Sequence, residues 1–323
     1  MRTAELPAQV EPENVNALAE LLDRASDYAR ASKSAATLRA YDSSWRAFVA
    51  WCRVHGAEPL PTAPATVAAY LADIAERVVP TSVTRCCIAI SQAHQLRKLP
   101  DPTRDAAVKA VLRGIRRQHG RPAVGKDPLL VGDLISIVRA LDVTTMAGLR
   151  DRALLLLGFS AALRRSELVA LDVGDLDFRS DGLAVMLKKS KTDQEARGRV
   201  IGVSYGSNGT CPVVAVRTWL TTATVSSGPV IRAVDRHDVI RDGRLSDKAV
   251  CRIVKKLVPL AGLPHERYGG HSLRAGFCTS AASAGVEERE IAMVTGHASL
   301  VVLRRYIRSG KLFDGELVRR MGL

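Results

Sequence analysis

Apolar residues recur three and four positions apart along most of this 323-residue chain, the spacing that lines one face of an α-helix. VNALAELLDRASDYARAS has that pattern, and SAATLRAYDSSWRAFVAWCRVHG repeats it from a capping Ser34 to Gly56. APATVAAYLADIAERV and TSVTRCCIAISQAHQLRKL follow, divided by Pro80. PTRDAAVKAVLRGIRRQHG is a fifth helix, with Pro102 near its start and Gly120 after its end. RPAVGKDP (121–128) then replaces the periodicity with Pro, Gly and charge, as an interdomain linker does. The pattern therefore predicts a flexible segment at 1–12, an all-helical domain at 13–120 and a second domain at 129–323.

The second domain opens with helices at LVGDLISIVRAL and AGLRDRALLLLGFSAALRRSELVAL. LDVGDLDFRSDG is turn-rich, and GLAVMLKKSK and GRVIGVS resemble two short strands joined by a polar loop. Helices return at PVVAVRTWLTTA, SDKAVCRIVKKLVPLAG, HSLRAGFCTSAASAG, EEREIAMVTGH and SLVVLRRYIR.

Composition sharpens this picture. Hydrophobic residues make up 47% of the chain and aromatics 4%, so Ala, Leu and Val must fill the cores, which favours close-packed helices over sheets. The 47 Lys and Arg against 33 Asp and Glu leave a net charge of +14, pointing to a polyanion, nucleic acid before an anionic membrane. The excess is localised. Residues 1–30 hold three basic and six acidic groups, whereas residues 31–126 hold fifteen and six, a net of +9. Cys52, Cys86, Cys87, Cys211, Cys251 and Cys278 form no CxxC pair and read as small core residues in a reducing compartment. No signal peptide opens the chain and no apolar run nears the ~20 residues of a membrane span. A soluble, cytoplasmic protein is expected.

The sequence has no Walker phosphate loop or HExxH. His265, His271 and His297 are six and twenty-six residues apart, which fits no common metal-ligand pattern, so neither metal nor cofactor is expected. Four stretches could carry chemistry. In ALRRSEL, Arg164 and Glu167 lie three apart and could share a helix face, either as a surface ion pair or as a guanidinium held out to a phosphate. KKSKTDQEARG puts Lys188, Lys189 and Lys191 at a hairpin tip, an exposed basic loop or a source of a proton for a leaving oxygen. GGHSLRAG sets His271 and Arg274 near a helix start, where backbone N–H groups favour an anion. TGHASLVVLRRYIR holds His297 and Tyr306.

Together these stretches resemble the tyrosine recombinase (phage integrase) family, whose pattern is an Arg in an LRxxEL helix, a β-hairpin Lys, HxLR, GH and a terminal Tyr. This chain has LRRSEL, SKTDQ, HSLR, GH and RRYIR in that order. Arg164 to Lys191 is 27 residues, Arg274 to His297 is 23 and His297 to Tyr306 is nine. SSWRAFVAWCRVHG, LPDPTRDAAVKAVLRGIRRQ and RYIRSGKLFDGELVRRMGL are similar to the Cre branch, so the resemblance runs from roughly residue 30 to 323. His297 stands where Cre has Trp, as in the broader family.

The resemblance implies a mainly α protein: an all-helical core-binding domain and a mixed catalytic domain with a small β-hairpin or sheet, forming a C-shaped clamp on DNA. It implies site-specific recombination through a 3′-phosphotyrosine link and a Holliday junction, without ATP or metal. The partners would be double-stranded DNA with an inverted-repeat site and further copies of the chain, as a homotetramer on two sites. Arg164 and Arg274 would clamp the non-bridging oxygens and His297 would add a hydrogen bond. Tyr306 would attack and Lys191 would protonate the departing 5′ oxygen. His271 would either move the Tyr306 proton or position the phosphate, and Glu167 would orient a neighbour. A last helix at about 311–323 would dock on a neighbouring subunit through Leu312, Phe313, Leu317, Val318 and Met321, or pack on its own domain.

Candidate DNA contacts are Lys33, Thr37 and Arg39, then Thr81, Thr84 and Arg85, then Arg113, Arg116 and Arg117, all in the first domain. Arg244, Lys248 and Arg252 are candidates in the second, and Lys248 resembles a major-groove contact. Each is read as a phosphate contact before a base reader. The alternatives are a type IB topoisomerase, a DNA-binding relative without catalysis, and a metal hydrolase built on the histidines.

Overall fold

The computed structural model describes residues 32–121, 125–188, 198–206 and 209–297, with Glu20, Leu21, Arg24, Tyr28, Leu300, Val301, Leu303, Arg304, Tyr306 and Met321. The chain divides into two units, residues 1–123 and 124–323.

In the first unit, α1 (Ala35–Val54) starts at Ser34, whose hydroxyl accepts from the Thr37 N–H at 3.2 Å. The helices α2 (Pro64–Ala75) and α3 (Pro80–Leu96) each open on proline, whose missing N–H costs nothing at the first helical position. Pro102 begins a short 3-10 turn, and α4 (Ala106–His119) starts only after Asp105 caps it. Glu20, Leu21, Arg24 and Tyr28, from the helix expected ahead of these, are helical. One face of each of α1 to α4 meets in a core that includes Phe48, Tyr70, Leu71, Val83, Ile90, Val108 and Ile115. The Phe48 and Tyr70 rings lie 5.0 Å apart.

The second unit begins with α5 (Val131–Ala140) and α6 (Met146–Ser160). Leu149 and the run from Ala153 to Leu157 are all buried, so α6 is covered on every side and forms the centre of the unit. AGLRDRALLLLGFSAALRRSELVAL, expected as one helix, folds as two. Ala162 takes a left-handed φ of 49° and Arg164 is extended, so the chain turns and restarts as α7 (Arg165–Ala170).

Strands β1 (Leu176–Phe178), β2 (Gly182–Leu187) and β3 (Arg199–Ser204) form an antiparallel sheet in that order. β1 falls in the stretch expected as turns. A second hairpin, β4 (Arg232–Val234) and β5 (Ile240–Arg244), was not expected at all. Its charged, glycine-containing strands lack the alternation that marks a half-buried strand. At its turn, the Asp238 carboxylate accepts from the Met146 and Ala147 N–H groups at 2.7 and 2.8 Å, capping α6.

Helices α8 (Pro212–Thr222), α9 (Asp247–Leu257), α10 (Ser272–Ser283) and α11 (Glu288–Thr295) follow in the same unit. Buried Trp219 on α8 donates to the Val230 carbonyl at 2.7 Å. Cys52, Cys86, Cys87, Cys211 and Cys278 are buried, and Cys251 is half-buried. Among the described residues no helix is long and apolar enough to cross a membrane.

Candidate active site

The turn before α7 places Arg164 at the helix cap, with its backbone N–H donating to Glu167 at 2.8 Å and its guanidinium meeting the same carboxylate at 2.5 Å. Glu167 is 4% exposed. Its carboxylate therefore fixes both the start of α7 and the direction of the Arg164 fork.

Helix α10 supplies the next two groups. A Cβ at Gly276 would overlap the Leu129 carbonyl, so only glycine permits this approach, sealed by the Leu129 N–H donating to the Ser272 carbonyl at 3.0 Å. His271 occupies the N-cap position of α10 and stays exposed. Arg274, one turn in, is 1% exposed and donates to the Ala162 carbonyl at 2.7 Å. The left-handed turn that separates α6 from α7 thus also anchors this arginine.

Gly296 ends α11 with φ 62°, and the turn delivers His297. Arg274 Nη2 lies 3.3 Å from His297 Nε2. On the other side of the ring, the Thr295 hydroxyl is 2.7 Å from His297 Nδ1 and donates to the Ile291 carbonyl at 2.7 Å. With its proton committed to Ile291, that hydroxyl accepts from Nδ1–H, leaving Nε2 to accept from Arg274. Burial, followed by the charges of Arg274 and Arg164, pushes the His297 pKa down to about 4, so the imidazole is neutral at neutral pH. Burial and the Arg164 charge lower Arg274 to about 10, which still leaves it a cation.

Leu300, Val301, Leu303, Arg304 and Tyr306 are helical. Leu303 is fully buried against Cys278, Ala282 and Ile291, with Tyr306 packed against the same cluster. Three residues further along the same face, the Tyr306 hydroxyl lies 2.6 Å from His271 Nε2. The phenol therefore reaches the site from its own chain.

The fold brings together Arg164, Glu167, His271, Arg274, His297 and Tyr306 from four segments of one unit. Lys191 lies outside the described residues, as do Leu312, Phe313, Leu317 and Val318; Met321 is exposed. Lys188, at the base of the hairpin, pairs with Asp175 at 2.6 Å. His265 sits beside Glu266, and among the described residues no group of three His, Cys, Asp or Glu side chains could hold a metal ion.

The candidate DNA contacts divide. Arg39, Thr81, Arg85, Arg113, Arg116, Arg117, Lys248 and Arg252 are exposed, while Lys33, Thr37 and Thr84 are partly buried. Lys33 donates to Gln92 at 2.6 Å and Arg116 reaches Thr84 at 3.4 Å. Arg244 is instead built into the fold. Its guanidinium donates to the Val169 and Leu171 carbonyls at 2.6 and 3.1 Å and to Asp172 at 2.6 Å. The Val169 carbonyl lies in the last turn of α7, and the Leu171 carbonyl just beyond it also accepts from the Val230 N–H at 3.0 Å, so Arg244 helps to close that helix.

Sequence reasoning missed Arg199. Strand alternation puts it on the face of β3 shared with buried Ile201 and Val203. An arginine at an inward strand position beside the lysine hairpin was the available signal.

Residues 132–312 match the phage integrase family. An integrase/recombinase xerD homolog from Selenomonas ruminantium is 39% identical over 294 residues, covering 90% of this chain and 86% of that one. Tyrosine recombinase XerC from Syntrophus aciditrophicus is 34% identical over 168 residues, 49% of each chain. Among solved structures, the Tn1549 transposon integrase in complex with transposon right end DNA superposes with a TM-score of 0.61 at 15% identity, covering 88% of this chain and 92% of that one. A lambda integrase dimer bound to a COC′ core site gives 0.59 at 15%, covering 93% and 82%. A fold of this kind around paired arginines and a tyrosine defines a class of DNA strand-transfer enzymes. The chain belongs to the phage integrase family.

Proposed function

We propose that this protein is a site-specific DNA recombinase that cuts and rejoins strands by transesterification, with Tyr306 as the nucleophile. The observation that carries this reading is the Tyr306 hydroxyl 2.6 Å from His271 in the unit where Arg164, Arg274 and His297 converge. A phosphodiester repels nucleophiles, and its negative charge concentrates as attack proceeds. Arg164 and Arg274, aimed and partly desolvated in advance, stabilise that charge more than water would. His271 takes the phenol proton as Tyr306 attacks phosphorus, and His297, its Nε2 accepting from Arg274, holds that guanidinium toward the non-bridging oxygens.

The departing 5′ oxygen takes a proton from Lys191, and a 3′-phosphotyrosine link forms. Because the link conserves the energy of the broken bond, the 5′ hydroxyl of a partner strand reverses the step without ATP or a metal. Two rounds through a Holliday junction exchange two duplexes. The DNA carries inverted repeats, four copies of the chain act on two sites, and the reaction takes place in the cytoplasm. The basic helical unit that precedes the catalytic unit along the chain holds the flanking duplex. The segment at about 311–323 docks on a neighbouring copy.

The test uses a duplex selected by the wild-type protein from a random-sequence library, nicked beside the cleavage point, in EDTA. Wild type should form a covalent protein–DNA adduct and Tyr306→Phe none. Absence of an adduct with wild type would sink the catalytic reading, and an adduct with Tyr306→Phe would sink the nucleophile. Plasmid relaxation without exchange between two sites would make the protein a topoisomerase.

A further inference from the structure

We propose that Arg199 is a positioning residue for strand cleavage, which clamps the Gly296 turn from β3 and so holds His297 against Arg274. The inference rests on the transesterification reading above.

Four observations carry it. Arg199 opens β3, eight residues after Lys191 in the sequence, and the strand's alternation turns its side chain inward. Its Nη1 donates to the Val294 carbonyl at 2.8 Å, in the last turn of α11 and three residues before His297. Its guanidinium also lies flat against Gly296: a Cβ there would overlap Nη1 and come within 2.8 Å of Cζ. The glycine of the GH pair is thus required twice, by its left-handed φ of 62° and by the arginine packed on it. Finally, Arg199 Nη2 is buried with no hydrogen-bond partner among the described residues.

That last feature argues against a purely structural strut. An unmet buried donor is destabilising, and a methionine of similar reach would join strand to turn without it. An arginine adds a fork that grips a helix-terminal carbonyl and a charge beside the place where a phosphate would sit. That charge is felt there: it is among those that lower the pKa of both Arg274 and His297. The clamp also ties the two ends of the site together. The strand leaving the lysine hairpin and the turn carrying His297 cannot shift independently while Arg199 bridges them.

The experiment is single-turnover cleavage of the nicked duplex by Arg199→Met, Arg199→Lys, His297→Ala and the double variants. Arg199→Met should slow adduct formation by about tenfold or more, with DNA affinity within about twofold of wild type. If Arg199 acts through His297, Arg199→Met in the His297→Ala background should cost less than about twofold further. Arg199→Lys, which keeps the charge and loses the fork, should fall between wild type and Arg199→Met with the same dependence on His297. It carries the comparison should the methionine variant fail to fold. Losses that multiply in the double variants, or wild-type rates in both single variants, would overturn the role of Arg199. Loss of the Tyr306-dependent adduct in wild type would instead overturn the underlying reading, and this one with it.

Discussion

Arg113, Arg116 and Arg117 lie exposed on α4 of the helical unit, while Arg274 in the catalytic unit is 1% exposed and holds a backbone carbonyl. The side chain is the same and its physics is opposite. A solvated guanidinium is screened by salt, and it attracts DNA mainly by displacing counterions. A desolvated one has given up its hydration during folding, so it meets a developing negative charge with little reorganisation left to do. The helical unit is therefore suited to holding a polyanion anywhere along it, and the catalytic unit to stabilising one phosphate.

The most damaging test of that contrast compares Arg274→Gln with the triple change Arg113→Gln, Arg116→Gln and Arg117→Gln. Arg274→Gln should slow single-turnover cleavage by about 10²–10³-fold, the scale of removing one buried oxyanion donor. Its salt dependence of DNA binding should stay near that of wild type. The triple variant should do the reverse. Each lost phosphate contact lowers the slope of log affinity against log salt by about 0.9, so the slope should fall by up to about 3, with cleavage at saturating protein nearly unchanged. Cleavage losses of similar size in both, under saturation, would erase the distinction.

The two regions also differ in how much of them could be read in advance. The helices of the first unit follow from periodicity, the Ser34 cap and the break at Pro80, because each depends on neighbours within a few residues. In the catalytic unit, Arg164, His271, Arg274, His297 and Tyr306 were legible from motif order and spacing, not from periodicity. What escaped was set by long-range contacts. The break between α6 and α7 comes from a left-handed Ala162, a residue that otherwise favours helix. The β4–β5 hairpin owes its place to Asp238 capping α6 across about ninety residues. Arg199 read only as the start of a short strand, because its partner, the Val294 carbonyl, is 95 residues away.

Arg244 sharpens the contrast from the other side, since the sequence placed it with the DNA contacts and the fold places it at the end of α7. Arg244→Met should remove the donor to the Val169 carbonyl while the Leu171 carbonyl keeps the Val230 N–H, and cost about 0.5–1.5 kcal/mol in denaturant unfolding. DNA affinity and its salt slope should stay at wild-type values. A lowered salt slope with unchanged stability would return Arg244 to the DNA surface.

The smallest effect tests whether the buried cations reach their neighbours at all. His297 titrates near 4 because burial and the charges of Arg274 and Arg164 oppose its protonation, whereas in the unfolded chain it titrates near its ordinary value of about 6.5. Above that value both states are neutral and His297 adds no pH dependence. As pH falls from about 6.5 toward 4 the unfolded chain binds the proton first, so the fold loses stability. Discounted for partial solvent screening, the loss should be on the order of 1–2 kcal/mol by pH 4.5. His297→Gln should lack this component, so the stability difference between wild type and variant should shift against wild type as the pH drops. His94, buried in the helical unit between the Thr62 N–H and the Ile90 carbonyl, is common to both proteins and cancels. Parallel curves would mean that His297 takes its proton as readily folded as unfolded. The arginines would then be no better desolvated than those on α4, and the contrast between the two units would fail at its centre.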